Sequence, residues 1–390
     1  MLRRSHKKSR GGCLECKRRH VKCDENRPRC RLCVVSERGC SFASQPIQDG
    51  VSTSNSGSSR SVSPGALPLG GTSNEVAHHV PTFEDAINFD HMELLIHVAL
   101  DKDIFSLGVG IEDYHRGGLS LGLREALRAP YLMHQVLAFS ARHLAFLHPE
   151  KSDSYLQKAV TLQTRAVSLF TAIPIDVDET NCVPVLLFST ILGHHLLADT
   201  LSKRPATGFD SFLEYYVQCA QTYRGVYNIA VSAWPLLMKS ELGDILSLSQ
   251  SFTSRLPIGN DCQDVLQLVD MSTDLDHAAK EACRSAINYL QVGLDAAGAT
   301  NPQDTPINRF QMISEWTMLV NPEFTNLLAS RRPEALIVLA HYALLLHYGR
   351  QMWQVQDAGA YILGQIVRYL GKEWDHWLEY PRRKVAETID

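Results

Sequence analysis

The 390-residue sequence predicts a small cysteine-rich metal module, a flexible linker and a large all-α domain, in that order along the chain. Three observations support this prediction. Six of the ten cysteines fall within residues 13–40, half of residues 41–80 are Ser, Gly, Pro or Thr, and helical periodicity begins near residue 83. With 45% hydrophobic and 21% charged residues, the chain as a whole has an ordinary globular composition.

Positive charge is concentrated at the N-terminal end. Residues 1–40 carry 13 Lys or Arg against 4 Asp or Glu, a local charge of +9, so the other 350 residues sum to −13 within a net charge of −4. A basic arm over residues 1–12 precedes the first cysteine of the module. This distribution predicts a polyanionic partner for the N-terminal end and none for the acidic remainder.

The cysteines of residues 13–40 follow a duplicated spacing. They read Cys13-x2-Cys16-x6-Cys23-x6-Cys30-x2-Cys33-x6-Cys40. Thiolates suit Zn²⁺, which prefers four-coordinate tetrahedral sites. Six ligands could fill one site and leave two sulfurs over, or hold two zinc ions if two sulfurs bridge. The duplication favours two ions, with the first cysteine of each half, Cys13 and Cys30, as the bridges.

The location expected for the protein also favours metal over disulfides. The first 30 residues lack the apolar stretch of a signal peptide, so we expect an intracellular protein whose thiols are reduced. The most apolar windows, residues 185–198 and 335–348, are near 14 residues. A bilayer core needs about 20 apolar residues, so these windows predict buried helices and no membrane partner.

Basic residues lie between the second and third cysteines. They are predicted to contact double-stranded DNA from a short helix whose N-terminus is fixed to the metal by Cys16, and they are Lys17, Arg18, Arg19, His20 and Lys22. A basic run alone also suits a solvated surface or a nuclear-import signal. Its position among metal ligands favours DNA contact, with the less basic second half resting on the phosphate backbone.

Beyond a disordered linker over residues 41–82, residues 83–390 predict ten or more helices. One predicted buried stripe includes Leu156, Ala159 and Val160, and helix ends are predicted at His148-Pro149, Ile173-Pro174, Trp234-Pro235 and Tyr380-Pro381. The cysteines outside the module are expected to be buried: Cys182, Cys219, Cys262 and Cys283.

The sequence contains no hydrolase, metalloprotease, P-loop or dinucleotide-binding motif, so an enzyme is not predicted. The pair His194-His195 is not expected to bind a metal, because neighbouring residues on a helix point about 100° apart. No catalytic residue is therefore assigned, and ligand-binding residues stay unknown.

The cysteine module resembles the DNA-binding domain of the fungal Zn2Cys6 binuclear zinc cluster transcription factors at every cysteine position. Two segments of the module resemble the corresponding segments of the sterol uptake control proteins, namely Gly12 to Glu25 and Arg27 to Cys30. So do His91-Met92-Glu93-Leu94-Leu95-Ile96-His97, the Arg332-Pro333-Glu334 segment and the ending Leu370-Gly371-Lys372-Glu373-Trp374.

The resemblance implies a nuclear, sequence-specific regulator of RNA polymerase II genes with two Zn²⁺ per chain. Where the family usually has a Lys that contacts a CGG triplet, this chain has His20, and the sterol branch uses CGTA-containing elements, so the half-site stays open. The helical domain is expected to sense a sterol or another lipid. The alternative is a ligand-free protein-interaction or dimerisation scaffold, with a homodimer formed through this domain. Four tryptophans could form walls of a cavity, although each is more readily explained as ordinary core: Trp316, Trp353, Trp374 and Trp377.

Overall fold

The computed structural model describes residues 12–19, 21–26, 29–36, 38–42, 87–108, 112–172, 176–298 and 311–387. The chain divides into two units, Met1–Val80 and Pro81–Asp390. The linker predicted over residues 41–82 lies outside the described residues apart from Ser41 and Phe42. The predicted fold class, a zinc-cluster module followed by an all-α domain, is confirmed.

The N-terminal unit contains two five-residue helices, α1 (Leu14–Arg18) and α2 (Arg31–Val35). Each follows a cysteine in extended conformation, Cys13 or Cys30, at its N-cap. The two helices begin 17 residues apart, and the cysteine spacing repeats at the same interval. The interior consists of the six cysteines and Phe42, all of them buried. A segment with this interior has almost no apolar core, so its fold depends on what the sulfurs bind.

The second unit is built from helices, and the described residues contain no strand. The helices are α3 (Phe89–Leu100), α4 (Glu112–Arg128), α5 (Pro130–Leu147), α6 (Ser152–Thr171), α7 (Cys182–Ser202), α8 (Phe209–Leu237), α9 (Gly243–Thr253), α10 (Gln263–Met271), α11 (His277–Gly298), α12 (Gln311–Leu319), α13 (Pro322–Ala329), α14 (Pro333–Tyr348), α15 (Ala358–Leu370) and α16 (Asp375–Glu387).

Helix α14 lies at the centre of this unit. Every residue from Glu334 to His347 is buried, as expected for a helix that is apolar on all sides. It packs against α10, α11, α15 and α16, while α5 and α7 organise a second group of helices with α3, α4 and α6. Trp316 of α12 is fully buried against α14, where its ring stacks on Tyr342 at 4.3 Å between centroids.

Helix α7 has the length and composition of a membrane span, and within the described residues it alone does. More than half of its most apolar window (56%) is buried inside the unit. The windows predicted as buried helices are therefore parts of α7 and α14 in the helical core.

Two predicted helix ends are wrong. Helix α8 continues through Pro235 to Leu237, and α16 continues through Pro381 to Glu387. Proline removes one backbone donor, and Pro235 lies in the last turn of α8, where the freed carbonyl can face solvent or join a tighter turn. Pro381 is buried in the middle of α16, so the packing of this helix outweighs the lost backbone bond. The end predicted at His148-Pro149 is confirmed, because α5 stops at Leu147. Ile173 and Pro174 lie outside the described residues, but α6 does end before them.

The predicted buried stripe of α6 is partly wrong. Val160 is 61% exposed, and the residues that face the interior are Tyr155, Ala159, Leu162 and Ala166. Helix α6 packs along α5 through Tyr155, Ala159 and Leu162, so Val160 lies off the line of contact. The four cysteines of this unit are buried as predicted.

Candidate metal centre and nucleic-acid interface

The six sulfurs of the N-terminal unit form two groups of four. One group is Cys13, Cys16, Cys23 and Cys30, and the other is Cys13, Cys30, Cys33 and Cys40. Within each group the ligand atoms lie within 4.8 Å of one another. Cys13 and Cys30 belong to both groups, and they are the two sulfurs that the duplicated spacing predicts as bridges.

The sulfur separations suit zinc and exclude disulfides. The Sγ atom of Cys13 lies 3.7 Å from that of Cys30 and 3.6 Å from that of Cys33. Two thiolates on one tetrahedral zinc, each at about 2.3 Å, lie roughly 3.8 Å apart. A disulfide would need about 2.05 Å, and all the cysteines are free. The donor set therefore fits two tetrahedral zinc sites.

Backbone amide donors favour the thiolate form of Cys23 and Cys40. The Cys13 amide donates to Cys23 Sγ and the Cys30 amide to Cys40 Sγ, both at 3.4 Å. Burial raises the pKa of the Cys40 thiol, but amide donors from Cys30 and Phe42 outweigh burial and bring the pKa to about 7. Burial raises the pKa of the Cys16 thiol to about 12. A dication is therefore needed to keep such a buried sulfur ionised.

The predicted DNA-binding residues lie together on the outside of the first half. Lys17 and Arg18 belong to α1, Arg19 ends it, and Lys22 follows shortly after; all four are exposed. Arg18 pairs with Glu15 at 3.1 Å, whereas Lys17 and Lys22 have no ion pair or side-chain hydrogen bond within the described residues. His20 lies outside the described residues.

Arg19 connects the two halves of the module. Its Nη1 donates to Ser36 Oγ at 3.2 Å, just beyond the end of α2. Arg38 of the second half pairs with Glu15 of α1 at 3.4 Å. These contacts fix α1 against the second half, so the basic residues are presented from a rigid support.

The second half has the same backbone and a different surface. The residues of α2 that correspond to Lys17 and Arg18, 17 positions on, are Val34 and Val35, and both are exposed. The cations of the second half are Arg31 and Arg38, and Arg29 lies just before its first cysteine. The charge that can attract DNA is therefore concentrated on the first half.

A cavity of about 670 Å³ lies in the helical unit between α7, α8, α9, α11 and α12. Apolar side chains form most of its walls, with Leu186, Val226 and Met318 among them. Its polar residues are His194, Tyr223, Ser249, Gln311 and Glu315. The sequence did not identify these residues as a group, because they come from four separate helices and share no local pattern.

The four tryptophans considered as walls do not line this cavity; the remaining tryptophan, Trp234, does. Trp316 and Trp353 are buried in the core, where their indole N–H groups donate to the carbonyls of Ala286 and Ile104. Trp374 and Trp377 are partly buried and pack against the main core. The interpretation of these four residues as ordinary core agrees with their positions.

A second group of potential metal ligands joins α3 and α5. His97 Nε2 lies 3.0 Å from His143 Nδ1, and His97 Nδ1 lies 3.8 Å from a carboxylate oxygen of Asp101. His97 thus forms a hydrogen bond with His143 through one ring nitrogen and lies within ion-pair distance of Asp101 through the other. His194 and His195 also separate, since His194 lines the cavity and His195 contacts Gln135.

Comparison with known proteins defines the class of the N-terminal module. Residues 11–49 match the family model of the fungal Zn(2)-Cys(6) binuclear cluster domain. The domain of this family binds two zinc ions, and the six cysteines are arranged in two groups that could each hold a metal, so the N-terminal module is a zinc-cluster domain of the Zn2Cys6 type.

Two relatives extend this likeness over most of the chain. The Zn(2)-C6 fungal-type transcription factor afumD of Aspergillus fumigatus is 25% identical over 87% of this chain and 86% of its own. A Zn(2)-C6 fungal-type transcription factor of Gibberella zeae is 24% identical over 98% of this chain and 86% of its own. Both relatives are transcription factors.

The likeness to the sterol branch is shorter than the sequence suggested. Sterol uptake control protein 2 of Candida albicans is 43% identical over 51 residues, which is 13% of this chain and 7% of that protein. The match therefore extends over a short part of the chain, and a sterol ligand for the helical unit does not follow from it.

Proposed function

We propose that this chain is a nuclear, sequence-specific regulator of RNA polymerase II genes. Its two zinc ions are held by six cysteines, one by Cys13, Cys16, Cys23 and Cys30 and the other by Cys13, Cys30, Cys33 and Cys40. The observation that carries this assignment is the pair of four-sulfur groups with two shared members. The zinc ions would supply the structural core that the module's own side chains lack.

The DNA-contacting residues are proposed to be Lys17, Arg18, Arg19, His20 and Lys22. The exposed cations of this set lie on or just beyond a helix anchored by a buried ligand cysteine. Lys17 and Lys22 are not neutralised by a described carboxylate, so their charge is available to phosphates or to guanine edges.

An in vitro DNA selection with the full-length zinc-loaded protein, at a stated salt concentration, tests this function. One enriched half-site of the CGG or CGTA type would support monomeric recognition, and two half-sites at a fixed spacing would support a dimer. A Lys17→Ala/Lys22→Ala variant should lose affinity for every sequence. Absence of any enriched sequence would contradict sequence-specific binding by this chain.

The helical unit is proposed to sense a small apolar ligand, a sterol or another lipid. A volume of about 670 Å³ lies within the usual range of small-molecule sites, and mostly apolar walls with a few polar groups are their usual chemistry. Stabilisation of the full-length protein by a sterol or lipid, measured as a rise in Tm, tests this role. A ligand-free scaffold would not need such a cavity.

Dimerisation through the same unit is the second candidate function, and α3 favours it. Phe89, Met92, Ile96 and Leu100 lie along one line of this helix at spacings of three and four, and all are exposed. A second copy could cover this line in a two-fold interface. Sedimentation of the wild type and an Ile96→Asp variant tests the idea, which predicts a dimer for the first and a monomer for the second.

A further inference from the structure

The cavity of the helical unit contains one carboxyl group and no Lys or Arg among its described lining residues. That carboxyl belongs to Glu315 of α12. A ligand with a negative charge would therefore meet Glu315 without a compensating cation. A ligand with a positive charge or a hydrogen-bond donor would meet a suitable partner.

The two oxygens of Glu315 differ in their contacts. Its Oε1 accepts hydrogen bonds from Ser249 Oγ at 2.7 Å and from Gln311 Nε2 at 2.5 Å. Its Oε2 is buried and has no hydrogen-bond partner among the described residues, and the hydroxyl of Tyr223 is in the same situation. A buried polar atom without a hydrogen-bond partner destabilises the folded state, so a ligand that forms a hydrogen bond with it would be stabilising.

The pKa of Glu315 is also consistent with a buried carboxyl that has no cation beside it. Burial raises the pKa of its carboxyl to about 7, although Gln311 and Ser249 donate to it. Burial raises the pKa of Tyr223 well above its ordinary value, and Cys219, Tyr342 and Glu315 add to this rise. The carboxyl is thus held without the positive charge that would normally accompany it at neutral pH.

Apolar side chains that are partly open to solvent also line the cavity. Tyr227 and Val231 of α8 are one helical turn apart, and Leu248 lies on α9. All three are exposed, with Val231 at 55%. They provide an apolar entrance between α8 and α9 for a molecule with an apolar body.

We propose that the cavity binds an apolar molecule whose polar head donates a hydrogen bond to Glu315, through a hydroxyl or a protonated amine, and that it rejects apolar carboxylates. This inference rests on the proposed ligand-sensing role and specifies the chemistry of the ligand. It separates alcohols, sterols and amines from fatty acids.

A matched series of ligands that share one alkyl chain tests the proposal. Dodecanol, dodecylamine, dodecyl methyl ether and dodecanoate are titrated below their micelle concentrations against the full-length zinc-loaded protein at pH 8. A sterol with a free 3-hydroxyl is titrated as well, and binding is followed by Tm and calorimetry. The alcohol or the amine should bind about tenfold or more tightly than the ether and the carboxylate, the tighter of the two identifying the head group.

A Glu315→Gln variant sharpens this test. If Oε1 keeps its two donors, the amide nitrogen replaces Oε2 and an acceptor becomes a donor. The amine should then lose about tenfold or more in affinity, and dodecanoate should gain. The alcohol should change little, because a hydroxyl can also accept. Glu323→Gln, which alters an exposed carboxyl of α13 outside the cavity, is the matched control.

The possible outcomes distinguish failure of this inference from failure of the proposed ligand-sensing role. Wild-type protein that binds dodecanoate as tightly as the alcohol and the amine would overturn the inference alone, and so would a Glu315→Gln variant with unchanged affinities. Failure of every probe, the sterol included, to bind or stabilise would reject the ligand-sensing role and the inference with it. Circular dichroism of the variant confirms that it is folded.

Discussion

Cys13 and Cys30 each lie in both sulfur groups, whereas the other four cysteines lie in one. Replacing a shared sulfur should therefore affect both metals. We expect Cys13→Ser to reduce the zinc content of purified protein from two ions to none, and Cys23→Ser to leave part of it. Mass spectrometry of metal and protein measures the ratio, and two retained zinc ions in Cys13→Ser would contradict the bridging assignment.

Arg19 and Lys22 should differ in their effect on DNA binding. Replacing Arg19 by alanine should cost about 1–3 kcal/mol and relax the base preference, if Arg19 contacts a base edge. Lys22→Ala should weaken binding evenly across sequences and reduce the salt dependence. Fluorescence anisotropy with the selected site and with point variants of it measures both. An even loss for Arg19→Ala would show that it contacts phosphate alone.

Glu315 should make the helical unit less stable as the pH rises. Its pKa is about 7 in the fold against an ordinary 4.5, so between these values the folded state holds a proton that the unfolded chain releases. The stability present below pH 4.5 is therefore lost as the pH rises towards 7, by an amount on the order of 3 kcal/mol.

The comparison with Glu315→Gln isolates this effect. Burial lowers the pKa of His195 to about 4, and such histidines titrate in an overlapping range with the opposite sign. The quantity to measure is thus the difference between the urea unfolding free energies of variant and wild type at pH 5 and pH 8. The free energy of unfolding of the variant should rise relative to that of the wild type between pH 5 and pH 8. A difference that stays constant would contradict the prediction.

At the residue level, the sequence predicted what spacing alone determines. The cysteine positions are a local pattern, and the sulfurs meet as that pattern requires. The polar wall of the cavity could not be predicted, because Ser249 and Glu315 are 66 residues apart and meet only through the packing of α9 and α12. Glu315 is the only charged residue of α12, and that alone does not indicate a cavity.

Among the helices, α15 offers a direct test of packing. A Cβ on Gly359 would lie 2.4 Å from the Ala343 carbonyl oxygen and 2.5 Å from the His347 amide nitrogen, both backbone atoms of α14. Gly359→Ala must therefore push the two helices apart, at a cost of about 1–3 kcal/mol or more. The free energy of unfolding in urea measures this cost.

Gly364 is the matched control on the same helix. The nearest atom to a Cβ there is a guanidinium nitrogen of Arg368 at 4.0 Å. Gly364→Ala should stabilise the protein by about 0.4–1 kcal/mol, because alanine favours the helical backbone. Equal effects of the two substitutions would show that the close approach of α14 and α15 is not a constraint.

Sequence periodicity predicted that helices form and that α7 and α14 are buried. It predicted their ends less well, since Pro235 and Pro381 lie inside helices. Whether a helix continues through a proline depends on its surroundings, since Pro235 lies in the last turn of α8 and Pro381 is buried in the middle of α16. Val160 shows the same limit, because contact with α5 and not hydrophobicity determines which line of α6 is buried.

For the whole molecule, the two units should respond differently to loss of metal. The cysteine interior of the first unit shares no residue with the apolar cores of the second. Zinc removal by a chelator should therefore abolish DNA binding and leave the helical circular dichroism and its Tm unchanged. Added zinc should restore binding, and a large fall in the helical Tm would contradict the separation.

The predicted order of module types is confirmed on this scale, and the proposed limits of the basic arm and linker stay predictions. Local sequence patterns predict the type of each module but not the cavity. The spacing of its ligands is enough to predict a metal module, and hydrophobic periodicity is enough to predict a helical domain. A cavity depends on how many helices leave a space between them, which no single segment encodes.

At equivalent positions of its two halves, the cysteine module has Lys17 and Arg18 on α1 and Val34 and Val35 on α2. DNA strands run in opposite directions, so a reader with two equivalent halves would accept a site in either orientation. A module that is more strongly charged on one half distinguishes the two directions along the DNA, so its site has an orientation. Inverting such a site should therefore reverse the direction in which the module lies along the DNA.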